Sequence, residues 1–431
     1  MKKKSKLHEL KNKINEYEIE AIENIEISVL KELSDEMDEI SDPRDEAYVR
    51  HKLGDIIIIM IFAVMANANE WIEIEMFGKK KEAWLRTFLE LPYGIPTDDT
   101  FRIVISKLNI NYVYDLVIGF LIKKLEEAKQ IFEIEKDKDK QHIALDGKVS
   151  KSSKRETTEV AGSKAVNTLN AYSSDLEICI GQEFIEEKTN EITVMPTLLN
   201  RLDLKGTIVT WDALNTQKEI VKVVINGEGD YVGALKGNHA NLFTDVKDYF
   251  NEDTKTAIRE NKENIQYKKT IEKEHSAIVT REYYIESRIE WINGREEWAG
   301  FAAIGMVSKK TEKIGTGETI YEERYYICSI TEIEDFARVV RGHWGIENGL
   351  HWHLDYTFKD DKNTTKRGNG AEGLQIIKKI VLALLKIAQP FYPPRTSIKR
   401  IRYYLSLDFE NEVEKIFTVL NADNIKETFY M

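Results

Sequence analysis

Apolar residues recur at helical spacing through the first third of the chain. Ile14, Ile19, Ile22, Ile25, Leu30 and Leu33 fall roughly on one face of an otherwise polar helical stretch. Ser41-Asp-Pro43 is a stop-and-restart signal, and from Val49 to about Ala128 the helical pattern resumes. Ile56 to Ala66 is apolar all round, which predicts a central buried helix. Pro92-Tyr-Gly-Ile-Pro96 predicts a loop, and Thr97-Asp-Asp99 a well-capped helix start. Glu133 to Lys140 alternates in charge without periodicity and reads as a linker.

The texture then changes. His142 to Asp146 reads as a short strand ending in an acid, and Gly206 to Asp212 as a second such strand. Asn167–Tyr172 and Leu176–Phe184 predict strands joined by the turn Ser173-Ser-Asp175. Helical patterns at Thr193–Leu202 and Thr216–Ile225 separate these from a third buried strand, Asp230–Lys236. Strands linked through helices predict parallel pairing by right-handed crossovers. A strand-rich patch follows from about Ile265 to Ile330, and helices fill most of Glu332 to Met431.

With 431 residues, 42% of them hydrophobic and 32% charged, the chain can bury sizeable cores in two or three domains. Its two cysteines, Cys179 and Cys328, exclude a disulfide scaffold, and neither has zinc-ligand spacing. The longest apolar run is too short for the ~20 residues of a bilayer span. No secretory signal is visible, so the expected location is cytoplasmic and no membrane partner is expected. The net charge of −12 argues against nucleic acid at first, but the signs are segregated. Residues 1–16 carry +4, residues 17–46 carry −10, and residues 364–403 carry +8. The last block is the better candidate for a phosphate-facing surface.

Ligands of open α/β sheets collect beyond the carboxyl ends of strands, where Asp146 and Asp212 are expected. On neighbouring strands, two such carboxylates would repel unless a cation lay between them, and hard oxygen ligands suit Mg²⁺ or Mn²⁺. Each aspartate could equally cap a loop. His343, Glu347, His351 and Asp355 recur every four residues as a polar stripe, beside an inward-packing stripe of Ile346, Leu350 and Leu354. Three readings stay open for that stripe. It could be a mononuclear transition-metal site using His343, Glu347 and His351, a surface stripe, or a helix from which Glu347 alone joins the aspartate pair. The last would build a two-metal centre. No phosphate-cradling G-x-x-x-x-G-K-[ST] loop is present, so no nucleotide cofactor is expected, and no G-x-S-x-G elbow appears.

Several ordered motifs carry a resemblance. ALDGK at 144–148, IVTWDALNTQK at 208–218, DYVGALKGN at 230–238 and RGHWGIENGLHWHLD at 341–355 resemble the DDE transposases of H-repeat-associated, ISAs-type bacterial insertion sequences. DPR at 42–44, LELPYGIPTDDTF at 89–101, RYYICSI at 324–330 and KRGN at 366–369 extend the likeness over about residues 40–390. Departures are Asn167 and His275-Ser-Ala277, where the family more often has histidine and His-Gly-Arg. His343 stands where related transposases often carry arginine, so the arginine's role is not carried over.

The resemblance implies an α/β, ribonuclease H-like catalytic core with a strand-rich insertion, preceded by an all-α N-terminal domain. The expected divisions are a polar helical leader at 1–40, and a helical domain for DNA-end binding or association at 41–132. A linker at 133–140 leads to a catalytic core at 141–250 and 331–431, interrupted by a β-rich insertion at 251–330. It further implies a metal-binding catalytic triad of Asp146, Asp212 and Glu347 holding two Mg²⁺ or Mn²⁺. The activity implied is cleavage and joining of insertion-sequence ends; the alternatives are a catalytically retired DNA-binding relative or a nuclease on the same fold. The partner is double-stranded DNA, as terminal inverted repeats and target, with a homodimer in the synaptic complex. Lys148, Lys236, Asn238, Arg341 and His343 are candidate phosphate contacts near the metals, and Lys366 and Arg367 further away. Trp344 and Trp352 are expected to be packing residues.

Overall fold

The computed structural model describes residues 6–15, 28–134, 139–150, 166–186, 190–260, 265–274, 276–362, 370–418 and 420–421. Lys366 and Arg367 lie outside them. Six helices come first: α1 (Lys6–Asn15), α2 (Ser28–Asp38), α3 (Leu53–Met65), α4 (Trp71–Leu85), α5 (Asp98–Lys107) and α6 (Ile110–Ile131). All thirteen residues of α3 are buried, as its unbroken apolar surface demands. The Thr97 hydroxyl accepts from the Thr100 amide to cap α5.

Three strands follow, β1 (Gln141–Ser150), β2 (Val166–Ser173) and β3 (Ile178–Phe184). Then come α7 (Glu191–Leu199), β4 (Thr207–Trp211), α8 (Lys218–Asn226), β5 (Asp230–Leu235), α9 (Ala240–Tyr249) and α10 (Glu252–Arg259). Four long strands complete the sheet: β6 (Gln266–Glu274), β7 (Ala277–Glu286), β8 (Ala303–Lys313) and β9 (Thr319–Cys328). The remaining helices are α11 (Ile333–His343), its wide-turned continuation over 347–357, α12 (Gly370–Ala388), α13 (Ile398–Leu407) and α14 (Phe409–Thr418).

The described strands form one sheet in the order β3-β2-β1-β4-β5-β9-β8-β7-β6. β1, β4 and β5 run parallel, joined through α7 and α8, whereas β2 and β3 pair antiparallel at the other side. This is the ribonuclease H-like core, and the crossover pattern agrees with the reading of the strand–helix alternation. The strand-rich insertion pairs edge to edge with the core, β9 lying antiparallel to β5. An otherwise open edge of the catalytic sheet is thereby covered.

Three features add to the sequence reading. The helices of the leader bury Leu7, Leu10, Ile14, Val29, Leu30, Leu33 and Met37 in the same core as α3. The C-terminal helices α12 to α14 share that helical core too, with α12 lying on α3, α5 and α6 and touching β3. Finally, much of the basic block at 364–403 is spent inside. Lys378 pairs with Asp360 at 3.1 Å, and the Lys379 ammonium donates to Asn170 Oδ1 at 2.6 Å and to Gln182 Oε1. The buried Arg402 donates to the carbonyls of Thr357 and Val64. These cations face the wrong way for phosphate because buried acceptors need them. Burial resists the charge on Asp360, yet Lys378, Gln375 and Ser150 together hold its carboxyl below the usual range. Of the block, Arg395, Lys399 and Arg400 remain exposed.

The helix bearing Glu347 docks on the sheet through Gly342, Gly345 and Gly349. A Cβ at Gly342 would lie 2.8 Å from His142 Nδ1, and one at Gly345 3.4 Å from the Tyr172 ring. At Gly349 it would overlap the Tyr172 hydroxyl. Gly349→Ala is therefore expected to destabilise the protein by ~1–3 kcal/mol, and adding Tyr172→Phe to recover part of the loss. Urea unfolding of the two variants checks this; an unchanged midpoint for Gly349→Ala would show that the helix sits elsewhere.

Candidate active site

Strand register places the two aspartates. Ala144 pairs with Thr210 in the parallel β1–β4 ladder, so Asp146 and Asp212, each two residues on, stand level on the same face of adjacent strands. Asp146 does not end its strand, as its sequence pattern suggests. The pairing with β4 stops at Ala144, but β1 continues to Ser150 against β2. Asp212 directly follows β4 and caps the short turn 213–215, its Oδ1 accepting from the Asn215 amide at 3.3 Å and side chain at 3.1 Å.

The third acid arrives on the helix beyond α11. Its turns there are wider than an α-helix, with the Trp352 and Phe358 amides donating five residues back to the carbonyls of Glu347 and His353. Such turns frequently mark functional positions. Both predicted stripes exist. Ile346, Leu350 and Leu354 are buried behind, while the polar stripe lies along the sheet. His343 bonds Thr210 of β4 at 2.9 Å, Glu347 and His351 meet Asp146, and Asp355 pairs with Lys148 of β1.

Asp146, Glu347 and His351 bring one ligand atom each to within 4.8 Å of one another, close enough to hold a cation. Asp212 is not in that group, its Oδ1 being engaged with Asn215. Nor does the stripe assemble the His343–Glu347–His351 site weighed from its spacing, since His343 turns to Thr210. His351 Nδ1 lies 3.3 Å from Glu347 Oε2 and 3.7 Å from Asp146 Oδ2. On its other side, His351 Nε2 lies 3.5 Å from Asn170 Nδ2. Asn170 is oriented by Lys379, which donates to its carbonyl oxygen, so the amide presents N–H to His351. That leaves the His351 proton on Nδ1, where it donates to Glu347.

Two acids in one field cannot both ionise cheaply. Burial, then the Glu347 carboxylate and Glu191, push the Asp146 carboxyl up to about 7, against a hydrogen bond from the Gly147 amide. Glu347 is held below its usual range by the His351 hydrogen bond, opposed by burial and helped by Lys148. Asp146 thus keeps the proton and Glu347 the charge.

The remaining candidates scatter around this centre. Lys236 is exposed at the carboxyl end of β5, and the Asn238 amide donates to the Ala213 carbonyl, bracing the turn after Asp212. Arg341 is exposed but paired with Glu274 at 2.9 Å. Lys148 is buried against Asp355, which turns it away from any phosphate. Trp344 and Trp352, expected to pack, are nearly half exposed; the Arg324 guanidinium lies over Trp344 at 4.6 Å, and Trp352 stacks on Tyr356. One acid was missed. Glu191 opens α7, accepts from Asn215 Nδ2 at 2.7 Å and would collide with a Cβ at Gly147. Its only signal was its place after the capping Asn190.

Comparison with known proteins fits this geometry. A family model described as "Transposase DDE domain" matches residues 137–384, and one described as "DDE_Tnp_1-associated" matches 34–120. The chain belongs to the DDE transposase family. It is 32% identical over 88% of its length to "Putative transposase YncI" of Escherichia coli O157:H7, covering 93% of that protein. Identity is also 32% to "H repeat-associated putative transposase YhhI" of Escherichia coli K12, over 83% of this chain and 90% of that one. A shorter K12 relative, "Inactive transposase YbfQ", is 36% identical over 18% of the chain and 93% of its own length. A piggyBac transposase in a synaptic complex with hairpin DNA aligns at a TM-score of 0.40 and 12% identity over 90% of this chain and 78% of that one, too weak a likeness to argue from. Among the described residues of this DDE transposase, no single helix is long and apolar enough to cross a membrane.

The proton held at Asp146 tests whether a divalent cation suits the site. An oxygen-ligated cation would replace that proton and relieve the repulsion, so the donor set fits Mg²⁺ or Mn²⁺. Without metal, the folded chain binds this proton up to about pH 7, whereas an unfolded aspartate loses it near 4. Stability of the metal-free protein is therefore expected to fall as pH rises from ~4 to ~7. At pH 8, Mg²⁺ should raise the melting temperature. Asp146→Asn should flatten the pH trend and abolish the Mg²⁺ response; thermal melts across pH check both.

Proposed function

We propose that the protein cleaves and joins the ends of an insertion sequence by two-metal phosphodiester hydrolysis followed by strand transfer. The observation that carries this reading is the convergence of Asp146 and Glu347, 201 positions apart in the chain, with Asp212 level on the neighbouring strand. When bound, a pair of divalent ions would supply charge neutralisation and a more acidic attacking water. Asp146 and Glu347 would hold one side of the site once the shared proton leaves. Asp212 would complete it through Oδ2, which makes no hydrogen bond among the described residues. Breaking one phosphodiester and forming another needs no nucleotide cofactor, so the residues' work is alignment and charge stabilisation.

Double-stranded DNA would approach along the exposed crest formed by Lys236 and the helix face of Arg341 to Asn348. Beside that helix is a cavity of about 490 Å³, lined by Lys273, Arg281, Arg324 and Arg341 and by two acids, Glu274 and Glu322, the first of them paired with Arg281 and Arg341. Its cations suit a phosphate backbone. Synapsis of two ends would take a dimer.

The test is cleavage and joining of DNA carrying the element's ends, with Mg²⁺. Asp146→Asn, Asp212→Asn and Glu347→Gln should each lose at least ~100-fold in rate while still binding the DNA. Any one of them cleaving at the normal rate would remove that residue from the triad. Broken but never joined ends would make the protein a nuclease.

A further inference from the structure

A largely buried run of hydrogen bonds leads from Ser174, just past the end of β2, along the face of the sheet that carries the triad. Ser174 Oγ lies 3.4 Å from the Gly342 carbonyl and 2.8 Å from His142 Nδ1. His142 Nε2 lies 2.9 Å from Thr210 Oγ1, and Thr210 Oγ1 lies 2.9 Å from His343 Nδ1. His142 and Thr210 are buried and belong to the paired strands β1 and β4; His343 ends α11 one helical turn before Glu347. Gly342 is what lets the helix approach His142 so closely.

Two directions satisfy the hydrogen count, and the contact of the Ser174 hydroxyl with the Gly342 carbonyl selects one. With its proton given to that carbonyl, Ser174 Oγ accepts from His142 Nδ1–H. His142 then has a bare Nε2, which takes the Thr210 hydroxyl proton. With that proton committed, Thr210 Oγ1 can only accept, and His343 donates from Nδ1. Both rings are neutral. Burial holds His142 well below its ordinary value. It brings His343 down to about 4, even though Asp212 and Glu347 pull it upward.

We propose that Ser174, His142 and Thr210 are positioning residues that fix His343 as its Nδ1–H tautomer, so that a bare Nε2 faces the site as a hydrogen-bond acceptor for the attacking hydroxyl. The inference rests on the transposase reading for the identity of that hydroxyl, first water and then a DNA 3′ end. A neutral imidazole with a bare Nε2 cannot donate to phosphate, so this assigns His343 a role different from the phosphate contact its position in the motif suggests. His343 lies within the electrostatic field of both Asp212 and Glu347, the acids at which the attacking oxygen must lose its proton.

Long-range ¹H–¹⁵N spectra of the ¹⁵N-histidine-labelled full chain test the tautomer without reference to activity. The His343 signals, assigned by their loss in His343→Gln, should show a protonated Nδ1 and an unprotonated Nε2. Thr210→Val, close to isosteric, should release that tautomer and slow end cleavage roughly 10–100-fold at unchanged DNA affinity. Thr210→Ser should restore both. A wild-type His343 protonated at Nε2 would overturn the proposal even if the enzyme cleaves DNA. So would a folded Thr210→Val protein with unaltered tautomer and rate. If no DNA is cleaved but the tautomer is as stated, the positioning holds and the transposition reading fails instead.

Discussion

Mutual repulsion between Asp146 and Glu347 is the constraint around which the rest of this structure is arranged. Each carboxylate is brought to the other by an element that could not move without cost: a strand paired on both sides and a helix seated on glycines. The metal-free protein answers the repulsion with a proton on Asp146 and a histidine N–H on Glu347. Both are interim substitutes for positive charge. Asp146, Glu347 and His351 lie close enough together to hold a cation in place of these substitutes.

Around that pair the supporting groups fall into two polar clusters, one on each side of the helix. Lys379 orients Asn170, which faces His351 and so reaches Glu347; Ser174, His142 and Thr210 reach His343. Buried polar groups are expensive unless every hydrogen finds an acceptor, and that requirement gives each chain a direction. His343 at the end of α11 meets β4, and His351 and Asp355 in the wide turns meet β1, while Ile346, Leu350 and Leu354 stay in the helical core. The same helix thus joins the catalytic sheet to the all-α part of the molecule.

Much of this was legible in the amino-acid order. Apolar runs closing on Asp146 and Asp212 announced parallel strands with acids at one end, and four-residue spacing announced the face of the Glu347 helix. What stayed hidden depended on partners distant in the chain. Lys378, Lys379 and Arg402 look like surface cations until Asp360, Asn170, Gln182 and Val64 arrive beside them. Thr210 looks like an ordinary β-branched strand residue, and Glu191 like any acid in a first helical turn. The end of β1 was misjudged because its outer half pairs only with β2, on the side away from β4.

The most direct measurement is anomalous diffraction from crystals of the full chain soaked in Mn²⁺. Density between Asp146 and Glu347, with Asp212 Oδ2 sharing in the ligation, is the predicted result. Manganese bound through His351 with Asp212 taking no part, or no ion near Asp146 at all, would contradict it.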